Sequence, residues 1–260
     1  MTIQYAEHAP GPGLADAVRA YWSIRGDAAA NAAPVNRVLP DNCIDVVFDL
    51  RSQPSAFVVG PMLTAEVIPH AADIDLLGVR FSPGAATEFL DARAAELAAA
   101  NVDAGDLWPD TASLVGQLID TPHDARPLVL DAYLLRRRRA RRDATLARRA
   151  AAAIQRSGGR LTVDELASAV SVSDRTVLRA FLAAVGIGPK DALRVQRFRV
   201  AARLLERSVG ESAAPMSLAG IAAACGYADQ SHFTRDFNAL AGLTPGAYRT
   251  EKRIVGIVQD

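Results

Sequence analysis

Cysteine is scarce in this chain. Only Cys43 and Cys225 occur among 260 residues, far apart in sequence. That excludes a small domain stapled by several disulfides and suits two buried thiols in a reducing compartment. Long apolar runs are also missing. No stretch approaches the roughly 18–20 apolar residues of a bilayer-spanning helix, so no membrane partner is expected. The opening MTIQYAEHAP has no basic segment followed by an apolar one. A secretion signal is therefore not expected, and the cytoplasm is the default location. The four histidines (His8, His70, His123, His232) and the two cysteines show no metal-ligand spacing. Nor is there a Gly-rich loop of the P-loop or dinucleotide-binding form. Carboxylates abound in the first half, yet no pair has a spacing that suits acid and base roles. No metal, no cofactor and no enzymatic activity are expected.

What is present is a charge asymmetry hidden by a net charge of zero. Residues 1–125 carry 6 Lys+Arg against 17 Asp+Glu, and residues 126–260 carry 23 against 12. An acidic half joined to a basic half points to a polyanionic partner for the second half alone, or to a solvated basic face. Composition does not separate the two.

The first half reads as β-rich. Candidate strands at 18–24, 43–50, 56–59, 65–68 and 76–81 are rich in Val, Ile and aromatics and bounded by Pro, Gly, Asn and Asp. Ser82-Pro83-Gly84 has the form of a helix opening, with Ser82 as N-cap and Pro83 at the first helical position. Short helices are expected at 94–99 and 113–119, and a longer one from Pro127. That helix runs into six arginines in the seven positions 136–142. The run suits a surface helix end, a tether or a phosphate-contacting strip; like-charge crowding favours a linker. From residue 143 onward the pattern is helical, with breaks at glycines. The expected organisation is α+β. A β-rich, barrel-like domain (1–122) leads through an Arg-rich helical linker (123–144) to an all-α domain (145–253).

Two segments of the second half resemble each other. LTVDELASAVSVSDRTVLRAF begins at Leu161 and LAGIAAACGYADQSHFTRDF at Leu218. Each has the pattern of a helix-turn-helix. Thr162 and Glu165 offer a capping box. Leu166, small Ala167 and Val170 face inward, and Ser173 can cap the next helix. In that helix Val177 and Phe181 face the core while Arg175 and Arg179 share another face. Phe233 and Phe237 play the core part in the second copy, leaving Gln230, His232, Thr234 and Arg235 to point outward to varying degrees. Such a division suits base reading, since arginine bonds guanine bidentately and glutamine bonds adenine. It equally suits two hairpins of an interaction scaffold. The connecting helix from Pro189 weighs for DNA: about 19 residues span about 28 Å, close to the roughly 34 Å between successive major-groove faces.

These residues resemble the AraC/XylS DNA-binding domain over about residues 161–249. Ser173, Arg175, Val177, Arg179 and Phe181 meet its first-unit pattern, with Val in place of Leu. Gly186, Pro189, Arg197, Ala201 and Leu204-Leu205 meet the connecting-helix pattern. Gly226-Tyr227, Asp229, Ser231, Phe233, Arg235, Phe237, Gly242, Pro245 and Tyr248 fall where the family places them. The resemblance implies a transcriptional regulator with both units in adjacent major grooves of double-stranded DNA. It implies base-facing Arg175, Leu178 and Arg179 in the first unit, and Gln230, Ser231, His232, Thr234 and Arg235 in the second. Leu178 would meet a thymine methyl. Ser171 departs from the usual turn glycine and Ala192 from a common aromatic. The stretches VLPDNCIDVVFDL, VVGPM and LLGVRFSPGAATEFL resemble the small β-rich domain preceding such units in one branch of the family. That implies a small-molecule effector or a homodimer, with Trp22, Asp45, His70 and Arg80 as candidate effector contacts and RNA polymerase as a candidate partner. Some DNA-repair methyl acceptors share the module and use a reactive cysteine. Here Cys225 falls in a helix-turn-helix core and Cys43 in a strand.

Overall fold

The computed structural model describes residues 4–27, 36–68, 73–98, 101–140, 142–210 and 216–255. Strands β1 (Gln4–His8), β2 (Val18–Asp27), β3 (Asn36–Val38), β4 (Ile44–Asp49), β5 (Ser55–Val59), β6 (Glu66–Ile68) and β7 (Asp73–Phe81) come first. Short helix α1 (Ala94–Leu97) and strand β8 (Val102–Asp103) follow, then α2 (Thr111–Asp120) and α3 (Arg126–Arg137). The second half is α4 (Arg142–Ser157), α5 (Val163–Ala169), α6 (Asp174–Ala184), α7 (Pro189–Gly210), α8 (Leu218–Ala224), α9 (Gln230–Ala241) and α10 (Pro245–Val255). The α+β class holds, with a β-sheet region followed by a helical one.

One antiparallel sheet runs β1-β2-β7-β4-β5-β8, and β3 pairs with β6 as a separate ribbon. The six-stranded sheet is open: β1 and β8 are its edges, and no pairing closes it into a barrel among the described residues. Alternation along the strands sends Ile44, Val46, Phe48, Leu77, Val79 and Phe81 into one core. Their neighbours Asp45, Val47, Gly78 and Arg80 take the opposite face.

Two expectations are corrected here. Ser82-Pro83 does not open an α-helix. It forms a turn with Gly84 at φ +86, followed by a single 3₁₀ turn at Ala86–Glu88. Three residues of 3₁₀ geometry suffice because Phe89 and Leu90 drop straight into the sheet core. Nor is 123–144 a free linker. α3 buries Leu130, Tyr133 and Leu134 in the same core as the sheet. Two arginines of the run are pinned rather than loose. Arg137 pairs with Asp110, and Arg138 pairs with Asp16 and with buried Glu88. Opposite charges placed by the fold offset the crowding that the run alone suggests.

The helical half has two cores strung on α7. Ala192 and Leu193 belong to the first, with α4, α5 and α6. Val195, Phe198, Ala201, Ala202 and Leu205 belong to the second, with α8, α9 and α10.

Candidate nucleic-acid interface

The two units repeat at the level of individual hydrogen bonds. In the first, the Thr162 side chain accepts from Glu165 N at 3.2 Å while Glu165 accepts from Thr162 N at 2.8 Å, the expected capping box. α5 ends with Ser171 N donating to Ser168 O and Val172 N donating to Ala167 O. In the second, Gly226 N donates to Ala223 O and Tyr227 N to Ala222 O. These are matching helix ends, each needing one left-handed residue. Gly226 supplies it at φ +76, and Ser171 adopts it at φ +59 despite its side chain.

The second helix of each unit is capped from the side. Ser173 Oγ accepts from Thr176 N at 3.3 Å, and Asp229 Oδ1 accepts from His232 N at 2.6 Å. Val177 and Phe181 anchor α6, and Phe233 and Phe237 anchor α9, all fully buried. Phe237 packs 4.9 Å from Phe198 of α7. α9 is further tied to α7 by Asp236, which pairs with Arg194 through one oxygen and accepts from Tyr227 OH at 3.2 Å through the other. Arg194 and Asp236 are 42 residues apart in sequence, so no local pattern announced this contact.

The outward faces carry the residues singled out from sequence. Arg175, Leu178 and Arg179 on α6 are exposed, as are Gln230, Ser231 and Arg235 on α9. His232 and Thr234 are half-buried, and the His232 ring meets Tyr227 edge-on at 5.3 Å. Leu178 leaves 44% of its surface in solvent. Arg175, Arg179 and Arg235 form no ion pair among the described residues, whereas Arg80 on the sheet and Arg126, Arg137 and Arg138 on and just after α3 are all paired. Unpaired arginines on a helix face are free to neutralise phosphates or to meet base edges. α7 has 22 residues, or about 33 Å at 1.5 Å per residue.

Three of the four proposed effector contacts come together. Asp45 and Arg80 are directly opposed on β4 and β7. Arg80 reaches Asp45 at 3.2 Å, and Asp41 and Glu7 at 3.6 Å. Trp22 Nε1 donates to Asp45 Oδ2 at 3.0 Å. The indole lies across Gly78, its registered partner, where a Cβ would come within 2.0 Å of the ring. Burial pushes the Asp45 carboxyl up to about 6 against the opposing pull of Arg80. Among the described residues, Asp45 Oδ1 has no hydrogen-bond partner. His70 lies outside the described residues. Separately, a cleft of about 740 Å³ opens between residues 59–66, α1 and the first unit, with Leu63, Leu182 and Asp191 among its walls.

Comparison with known proteins accords with this division. Residues 166–251 match a family described as a helix-turn-helix domain, and residues 6–103 match one described as a domain of unknown function. The chain is 42% identical over 88 residues to a protein of Streptomyces antibioticus named as an AraC-like transcription regulator, covering 34% of this chain and 27% of that protein. The match thus spans about a quarter of that relative's length. The solved C-terminal domain of AraT, a response regulator from Geobacillus stearothermophilus, is 28% identical. It covers 42% of this chain and 88% of its own, with a TM-score of 0.38. The fatty-acid-bound structure of ToxT from Vibrio cholerae is 10% identical, covering 100% of this chain and 97% of its own, with a TM-score of 0.43. No helix among the described residues is long and apolar enough to cross a membrane.

Proposed function

We propose that this chain is an AraC-type, sequence-specific, double-stranded-DNA-binding regulator of transcription acting in the cytoplasm. The observation that carries the reading is the pair of capped helices α6 and α9, mounted at the two ends of one α7 and each presenting unpaired arginine. Arg175, Leu178 and Arg179 are proposed to read one major groove, and Gln230, Ser231, His232, Thr234 and Arg235 the next. Free cations elsewhere on the basic half would neutralise phosphates, so affinity would fall steeply with salt. The reading assigns the chain no enzymatic chemistry.

The acidic half is proposed to control this output. Asp45 supports an effector contact there, since its Oδ1, beside Trp22 and Arg80, is a buried acceptor without a donor among the described residues. A homodimer is the second reading, favoured by α3. Its Leu128 and Leu135 lie two turns apart on one face, 68% and 52% exposed, with Ala132 between them. RNA polymerase is a proposed partner through promoter binding alone. In units, we propose a sensing domain through residue 122, a segment 123–144 that packs on it, and a DNA-binding domain from 145 to 253.

The deciding experiment is selection of bound sites from random or genomic DNA with the intact protein, followed by mobility shifts. Arg175→Ala and Arg235→Ala should each weaken binding by roughly 1–3 kcal/mol and relax base preference at one position. Unchanged affinity and unchanged preference in both variants would refute those roles.

A further inference from the structure

α7 carries one unit at each end, and a second attachment bridging the units would restrain the angle between α6 and α9. The acidic half supplies one on the side away from the proposed reading residues. Near the first unit, Pro61 and the Ala94 carbonyl close on Gly186, just past α6. A Cβ at Gly186 would come within 2.6 Å of Ala94 O and 3.1 Å of Pro61. Four residues after Pro61, Ala65 N donates to Leu240 O, in the last turn of α9. Leu39, beside β3, is buried in the second unit's core. On the shaft between, Asn42 Nδ2 donates to Ala192 O of α7 at 3.0 Å. These contacts fall on the C-terminal ends of α6 and α9, and the base-facing candidates sit on their N-terminal halves.

The most directional of these contacts belongs to Arg37 on β3. Its Nε and Nη2 donate to the two carboxylate oxygens of Glu251 on α10, both at 3.0 Å. Its Nη1 donates to Ala241 O, the last carbonyl of α9, also at 3.0 Å. A planar fork on a carboxylate fixes orientation as well as distance, and a cation suits the negative end of a helix. Apolar neighbours such as Leu39 allow sliding that the fork does not.

We propose that Arg37 is a positioning residue for DNA reading. Through Glu251 and the end of α9 it holds the second reading helix at a set angle to the first, so the acidic half determines the base-pair spacing at which both helices engage. The inference rests on the DNA-binding reading above.

The test uses the full chain and its selected site, with probes in which one base pair is inserted or removed between the two half-sites. One base pair displaces the second half-site by about 3.4 Å and turns it by about 35°. Wild type should bind both altered probes at least about tenfold more weakly than the selected one. Arg37→Ala should bind the selected probe more weakly and differ by less than about threefold across all three probes. Glu251→Ala should reproduce that flattening, with little further change in the double variant, because the two residues act as one unit. Arg37→Lys keeps the cation without the fork and should fall between. If Arg37→Ala melts below the assay temperature, Arg37→Lys and Glu251→Ala carry the comparison. Variants that keep the wild-type spacing profile would overturn the proposal and leave α7 as the sole determinant. Wild type that binds no selected site, or ignores spacing, would instead overturn the paired-helix reading itself, and the proposal with it.

Discussion

Ser171→Gly should make the protein more stable, although it removes a side chain. Ser171 sits at φ +59, at the turn position where the second unit has Gly226 at φ +76. Both residues make the same helix-ending hydrogen bonds through the backbone, and Ser171 is exposed. An L-residue in the left-handed region costs roughly 1–2 kcal/mol. Glycine's greater freedom in the unfolded chain returns roughly 0.4–1 kcal/mol of that. The expected net gain is about 0.5–1 kcal/mol, which at this chain length raises the melting temperature by about 1–4 °C. Urea unfolding is the assay, with a higher midpoint at unchanged slope as the signature. Ser171→Ala is the control: it keeps the strained φ and should gain nothing. Gly226→Ala is the converse and should lose at least about 1 kcal/mol, with its new Cβ within 3.2 Å of Arg160. A Ser171→Gly midpoint no higher than wild type, or an equal gain in Ser171→Ala, would refute the strain argument.

Gly78→Ala should displace the Trp22 ring and break its bond to Asp45, costing about 1–3 kcal/mol; an unchanged tryptophan emission spectrum and midpoint would count against that packing. Hydrogen bonds from Arg138 and Arg148 hold the Asp16 carboxyl down to about 2, from an ordinary 3.8. A depressed carboxylate contributes stability in full above its unfolded value and loses it as pH falls. The stability gap between wild type and Asp16→Asn should therefore be constant above pH 4 and close toward pH 2. A gap that widens on acidification would reverse the assignment. Leu128→Glu with Leu135→Glu should lower the solution mass if α3 pairs two copies, as read by light scattering; a mass unaffected by the charges would remove α3 from the dimer.

Helices α6 and α9 were legible because what shapes them is local. Thr162 and Ser173 are polar caps one turn before apolar positions at helical spacing, and α6 and α9 span the residues that this helical pattern predicts. The strands were legible in part. β2, β4, β5 and β7 are long enough to show alternation. β1, as long as β5, and the shorter β3 and β8 were not expected and take their extended form from their partners. The Ser82-Pro83 turn misled because good cap chemistry starts a helix only where the following residues are free to continue it. Here Phe89 and Leu90 are drawn into the sheet core.

By itself, then, the amino-acid order determined the repeated helical units, their caps, their buried anchors and the polarity of their outer faces. Those depend on residues within a turn or two of one another. Only the tertiary structure decided that α3 joins the sheet, that Trp22, Asp45 and Arg80 share one network, and that Arg37 grips α9 and α10 from more than 200 residues away. Such contacts depend on strand register and domain packing, which place side chains together irrespective of their distance along the chain.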